Sequence, residues 1–90
     1  MSIETSSTKF YLRDLAPQEA IDKIEAFKIP SPYKEILIAS CVEELDAFPA
    51  IDYLEEKYNI VMSYWTYVRS LKKALIKFRA ANLYQINSKQ

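Results

Sequence analysis

The chain has 90 residues, half of them hydrophobic, and its 12 basic and 12 acidic side chains give a formal net charge of zero. A chain of this length can form one compact domain around one modest core. It contains no glycine and no histidine. This composition excludes glycine-rich phosphate-binding loops, histidine general bases and histidine-containing zinc sites within one chain. We therefore expect a protein that is not an enzyme and that holds no metal or other cofactor.

Charge is distributed unevenly along this neutral chain. Residues 61–90 hold six basic side chains and no acidic one, whereas residues 1–60 hold all 12 acidic side chains and the other six basic ones. A segment of net charge −6 is thus followed by one of net charge +6. Such segregation usually marks a surface that meets a polyanion or an acidic partner. The six basic residues are Arg69, Lys72, Lys73, Lys77, Arg79 and Lys89.

Several features indicate a cytoplasmic protein. The lone Cys41 lies in the apolar run 36–42, where we expect a buried structural thiol. No run approaches the roughly 20 apolar residues that cross a bilayer. The N-terminus also lacks the basic and then apolar pattern of a secretory signal. We therefore expect no membrane segment.

The order of the residues predicts an all-α fold, a small bundle of about four helices. Residues 1–9 are polar and rich in Ser and Thr, which predicts a flexible N-terminal tail, with residues 10–12 as the first anchor. Residues 10–84 form the single helical domain, and residues 85–90 are expected to be a frayed C-terminus. No internal repeat and no second domain is apparent.

The first two predicted helices each begin near a proline, which suits the first helical turn. After Pro17, Ala20, Ile21, Ile24 and Phe27 form an apolar stripe that ends near residues 29–30. Ser31 is the expected N-cap of the next helix, with Pro32 as its first residue. Its apolar stripe is wide, so we expect this helix to be the central and most buried one. That stripe contains Tyr33, Leu37, Cys41 and Leu45, widened by Ile38 and Val42.

The third and fourth predicted helices are separated by a short turn. Pro49 to Tyr58 places Ile51, Leu54 and Tyr58 on one face, and Asp46 ends the preceding helix or caps this one. Asn59 is the expected stop residue, because asparagine tolerates the left-handed backbone conformation that ends helices. Ser63 is the expected N-cap of the last helix, which runs to about Asn82 or Tyr84. Its predicted apolar stripe is Tyr64, Val68, Leu71, Leu75 and Phe78, with Tyr67 and Ala74 beside it.

Residues 49–79 resemble a known DNA-binding unit. The run 51–60, IDYLEEKYNI, is similar to the first helix and turn of bacterial helix-turn-helix proteins, with Asn59 where glycine is usual and Ile60 as the hydrophobic residue after it. The run 62–79, MSYWTYVRSLKKALIKFR, resembles the recognition helix of sigma-factor region 4 and related regulators. There a Ser-x-x-Thr-aliphatic start is followed by a basic stretch ending in Ala-Leu-x-Lys-hydrophobic-Arg. Here the turn is two residues longer, and Tyr67 replaces the usual aliphatic residue.

This resemblance implies a small sequence-specific protein that binds double-stranded DNA, such as a transcriptional regulator or a phage or plasmid regulator. The start of the last helix would enter the major groove, where Ser63, Tyr64, Thr66 and Arg69 would contact base edges. Phosphate contacts would come from Ser70, Lys72, Lys73, Lys77 and Arg79. A single helix of this kind reads few bases, so we expect a homodimer on a palindromic site.

The alternative is a protein-binding adaptor or inhibitor. It would dock the basic, aromatic last helix on an acidic protein partner, such as part of the transcription or replication machinery.

A cluster of acidic residues lies in the middle of the sequence. It lacks the spacing of a calcium loop and is interpreted as a solvated surface rather than a metal site. Its members are Glu43, Glu44, Asp46, Asp52, Glu55 and Glu56.

Overall fold

The computed structural model describes residues 3–88, and the side chains of residues 8–83 within that range. All regular secondary structure in the described residues is helical, as predicted, and these residues contain no strand. Helix α1 spans Ile3–Asp14, α2 spans Pro17–Ala26 and α3 spans Tyr33–Leu37. A wider, π-helical turn, Ile38–Val42, continues α3 directly, and α4 (Ala47–Tyr58) and α5 (Tyr64–Ser88) follow.

The N-terminal region differs from its prediction, because helix α1 occupies most of the predicted tail. Thr8 and Leu12 are buried, and they anchor α1 to the body of the protein. The guanidinium of Arg13 adds two hydrogen bonds to the Ser40 carbonyl oxygen, from Nη2 at 3.0 Å and from Nε at 3.3 Å. The Ser- and Thr-rich composition gives little intrinsic helix propensity, so these tertiary contacts hold the helix. Residues 1–2 of the predicted tail lie outside the described residues.

Helix α2 begins and ends close to where the prolines predicted. Pro17 is its first residue, and Ala20 and Ile24 are its buried positions. The helix ends through Phe27 and Lys28, whose φ of 56° places the backbone in the left-handed region. Ile29 follows and is buried in the core. Three members of the predicted stripe, Ala20, Ile24 and Phe27, therefore face the core as expected, whereas Ile21 is half-buried outside both core clusters.

The prediction that the helix after Ser31 is the central and most buried one is confirmed for α3 and its π-helical continuation. All six residues from Ile36 to Cys41 are buried. Two details of the prediction are wrong. Ser31 does not cap the helix with its side chain, because its hydroxyl bonds to the Glu35 carboxylate at 2.8 Å. The helix also stops before Leu45, since Glu44 adopts a left-handed conformation with φ 54°.

The core consists of two clusters that share α3, its π-helical continuation and α5. The first cluster joins them to α1 and α2, and the second joins them to α4. Helix α3 and its π-helical continuation, residues 33–42, together form the central segment. Neighbouring residues of this segment point to opposite clusters, as Leu37 and Ile36 do. Helix α5 supplies Phe78 to the first cluster and Tyr67 to the second. The second cluster therefore packs α4 against α5 and the central segment.

Candidate nucleic-acid interface

Helix α4 ends at Asn59, as the sequence predicted. Asn59 has φ 59° and ψ 34°, a left-handed conformation. Its N–H donates to the Glu55 carbonyl at 3.0 Å, and the N–H of Ile60 donates to the Leu54 carbonyl at 3.1 Å. The bond from Asn59 to Glu55 is that of an αL cap, and Ile60 packs against the cluster that contains Leu54. The motif fixes the direction in which the chain leaves α4.

Ser63 caps helix α5, which confirms its predicted role. The Ser63 hydroxyl oxygen accepts a hydrogen bond from the Thr66 N–H at 3.3 Å and donates one to the Thr66 hydroxyl at 3.0 Å. The Ser63 carbonyl accepts from the Tyr67 N–H at 2.9 Å. These bonds satisfy donors that a helix start would otherwise leave open. Ser63 and Thr66 therefore have a structural role, because their hydrogen bonds stabilise the first turn of α5.

The buried stripe of α5 is rotated from the predicted one. Tyr67, Ala74, Leu75 and Phe78 are the buried residues, while Tyr64 and Val68 are exposed. The prediction placed Tyr64 and Val68 inside because they share helical spacing with Leu71 and Leu75. The structure selects Tyr67 instead, because its large ring fills the second core cluster between α4 and the central segment. The rotation turns Tyr64 and Val68 toward the surface.

The predicted base contacts are accessible, with one exception. Ser63, Tyr64 and Arg69 are exposed, whereas Thr66 is half-buried. All of these residues lie within the first two turns of α5 or at its cap. They are therefore grouped at the N-terminal end of α5.

The predicted phosphate contacts divide between different sides of α5. Lys72 and Lys73 are exposed one turn after Arg69, and Ser70 is half-buried. The ammonium of Lys77 instead lies 5.5 Å from the centre of the Tyr33 ring, toward α3. Exposed Arg79 lines a shallow pocket between α1 and α5. The compact cationic group is thus the trio Arg69, Lys72 and Lys73, which we call the basic trio.

A group of three aromatic rings lies at the same end, and the sequence prediction missed it as a group. The rings of Phe48 and Tyr64 are stacked with their centres 5.1 Å apart and an interplanar angle of 23°. Trp65 meets Tyr64 edge to face, also at 5.1 Å. Phe48 is 67% exposed, Trp65 70% and Tyr64 38%. We call these three residues the aromatic cluster. The sequence feature that could have indicated it is the position of Phe48, which lies off the apolar stripe of α4 and is therefore expected to be exposed.

Two titratable side chains that interact with Ser40, those of Cys41 and Tyr67, have shifted pKa values. Burial raises the pKa of the Cys41 thiol to about 11, although the Ser40 hydroxyl opposes the shift. Burial raises the pKa of the Tyr67 phenol to about 12, again opposed by Ser40. Both groups therefore stay protonated at neutral pH. Cys41 is the buried thiol that the sequence predicted.

In the described part of the chain, the Cys, Asp and Glu side chains form no group of three or more that could hold a metal ion. Among the described helices, none has the length and apolar character needed to span a membrane.

Comparison of the chain with protein-family models, curated proteins and solved structures finds no match. The functional assignment therefore depends on the geometry of α4, α5 and the turn between them.

Proposed function

We propose that this protein binds double-stranded DNA through α5, with α4, the turn and α5 acting as a helix-turn-helix. The observation that carries the proposal is the basic trio, which is exposed beside a capped helix start in a helix without any acidic residue. Cations within three turns of a helix start suit contact with phosphates, while the first turn reaches base edges. The positive end of the helix dipole adds to this attraction.

The accessible residues divide into two roles under this proposal. Tyr64 and Arg69 would contact base edges in the major groove, and Ser63 would contact the groove or a phosphate nearby. Lys72 and Lys73 would neutralise phosphates and supply affinity without sequence information. A homodimer would place two α5 helices on a palindromic site and extend the sequence that is read. We propose a role in transcription, or in the control of a phage or plasmid, in the cytoplasm.

The test is a titration with duplex DNA at about 50 mM and about 200 mM salt, followed by fluorescence anisotropy. Replacing Lys72 and Lys73 by Gln should make the slope of log K against log salt shallower by about 1.8, since each phosphate contact contributes about 0.9. Lys23→Gln in α2 is the matched control and should leave the slope unchanged. Absence of binding to any duplex at the lower salt concentration would refute the proposal.

A second candidate function is docking on an acidic protein surface. It is favoured by Ile76 and Leu83, which are exposed on the same side of α5 as Lys72. Apolar side chains between cations suit a protein partner better than a phosphate backbone. Selection of bound sites from a random duplex pool separates the two functions. A palindromic winner supports the DNA-binding homodimer, and a pool without enrichment supports the protein partner.

A further inference from the structure

The aromatic cluster is a preorganised surface feature. Phe48 comes from the first turn of α4, and Tyr64 and Trp65 come from the first turn of α5. The Ser63 cap fixes the start of α5, and the contact between Phe48 and Tyr64 joins it to the start of α4. Three large rings are thus held together without forming part of either core cluster.

Exposure of this cluster is not explained by the packing of the fold. Tyr67 and Leu54 already fill the second core cluster below it. Single exposed apolar residues are common on proteins, but mutually contacting aromatic rings form a patch of the kind that marks a binding surface. Phe48 and Trp65 each contact Tyr64, but most of their surface stays accessible to a flat apolar ligand.

The charges beside the cluster determine the class of the ligand. Trp65, Arg69 and Lys72 follow one another at intervals of four and three residues, so they share one side of α5. A second copy of the chain docked symmetrically here would bring two basic trios together, and the like charges would repel. The matching ligand carries negative charge and planar apolar surfaces, which is the chemistry of a nucleic-acid strand.

We propose that on opened DNA, as distinct from the duplex, Phe48, Tyr64 and Trp65 form a stacking platform for unpaired bases, while Arg69 and Lys72 hold the adjacent phosphates. This inference rests on the proposed DNA-binding function and extends it to the strand state of the DNA. In an intact duplex the neighbouring base pairs cover the faces of each base. A side chain can stack on a base only where the duplex is opened or single-stranded. The protein should therefore bind opened DNA more tightly than an intact duplex of the same sequence.

Trp65 makes the test direct, because it is the only tryptophan of the chain. The full chain is titrated with three DNA probes: a single strand of about 12 thymidines, a duplex, and the same duplex with a short mismatched bubble. We expect the single strand and the bubble to quench Trp65 emission and to bind more tightly than the duplex. Equal affinity for the three probes with unchanged emission would overturn the inference.

Three variants locate the interaction by anisotropy with labelled DNA. Trp65→Ala and Phe48→Ala should each weaken binding of the single strand by about 5-fold to 150-fold, the usual effect of removing one stacking partner. Phe10→Ala removes another exposed aromatic ring, on α1, and should leave the affinity unchanged. Circular dichroism of each variant verifies that the helices remain.

The outcomes distinguish this inference from the proposed function. If duplex binding keeps its salt dependence but Trp65→Ala and Phe48→Ala bind the single strand as the parent does, the stacking platform is refuted and duplex binding stands. If no probe binds at about 50 mM salt, both proposals fail, and the aromatic cluster is assigned to a protein partner.

Discussion

Arg13 provides the sharpest test of how the N-terminal helix is held. Its guanidinium donates twice to the carbonyl of buried Ser40, in the π-helical turn that continues α3. A hydrogen bond from a charged donor contributes about 1.5–3 kcal/mol to stability. Arg13→Met keeps most of the aliphatic stem but removes both donors, so it should lower the free energy of unfolding by about 2 kcal/mol.

The expected change in melting temperature follows from chain length. Unfolding entropy of about 2.1 cal/mol/K per residue gives about 0.19 kcal/mol/K for this chain, so a loss of 2 kcal/mol lowers Tm by about 10 °C. Urea and thermal unfolding followed by helical circular dichroism measure both quantities. Lys9→Met, which removes a charge one turn earlier on α1, is the control and should change stability by less than about 0.5 kcal/mol. Equal effects of the two substitutions would refute the role assigned to the Arg13 bonds.

Three further predictions concern the turn, the core and the buried thiol. Asn59→Gly should stabilise the chain by up to about 1 kcal/mol in urea unfolding, because glycine has no Cβ to strain the left-handed conformation; destabilisation would contradict this. Phe78→Ala should cost about 4 kcal/mol in the same assay, whereas Ile76→Ala, half-exposed on the same helix, should cost under about 1 kcal/mol; similar costs would contradict the burial of Phe78 in the first core cluster. Between pH 9 and pH 10 the free energy of unfolding should fall by about 1 kcal/mol through Cys41, because the unfolded thiol ionises while the folded one, with its raised pKa, stays protonated. Cys41→Ala should remove that part of the pH dependence, and an unchanged slope would show that the thiol is not its source.

Local signals in the sequence predicted the four helices after the N-terminal region, although α5 continues to Ser88, beyond its predicted end at Asn82 or Tyr84 and into the stretch predicted to be frayed. Pro17 begins α2, Asn59 ends α4 and Ser63 caps α5, because each residue acts through the backbone of its own turn. The broad apolar run around Cys41 likewise indicated the central helix, since burial on all sides needs apolar residues on all sides. These effects depend on a few neighbouring residues and can be predicted without a structure.

Tertiary packing determined what the local signals left open. Helix α1 depends on burial of Leu12 and on the bonds from Arg13, whose partner lies 27 residues away. The rotation of α5 depends on the space beneath Tyr67, and that space exists only after α4 and the central segment have packed. The sequence by itself established an all-helical chain with a basic last third. The positions of Phe48, Tyr64 and Trp65 on one surface came from the fold, because contacts between separate helices depend on how those helices pack.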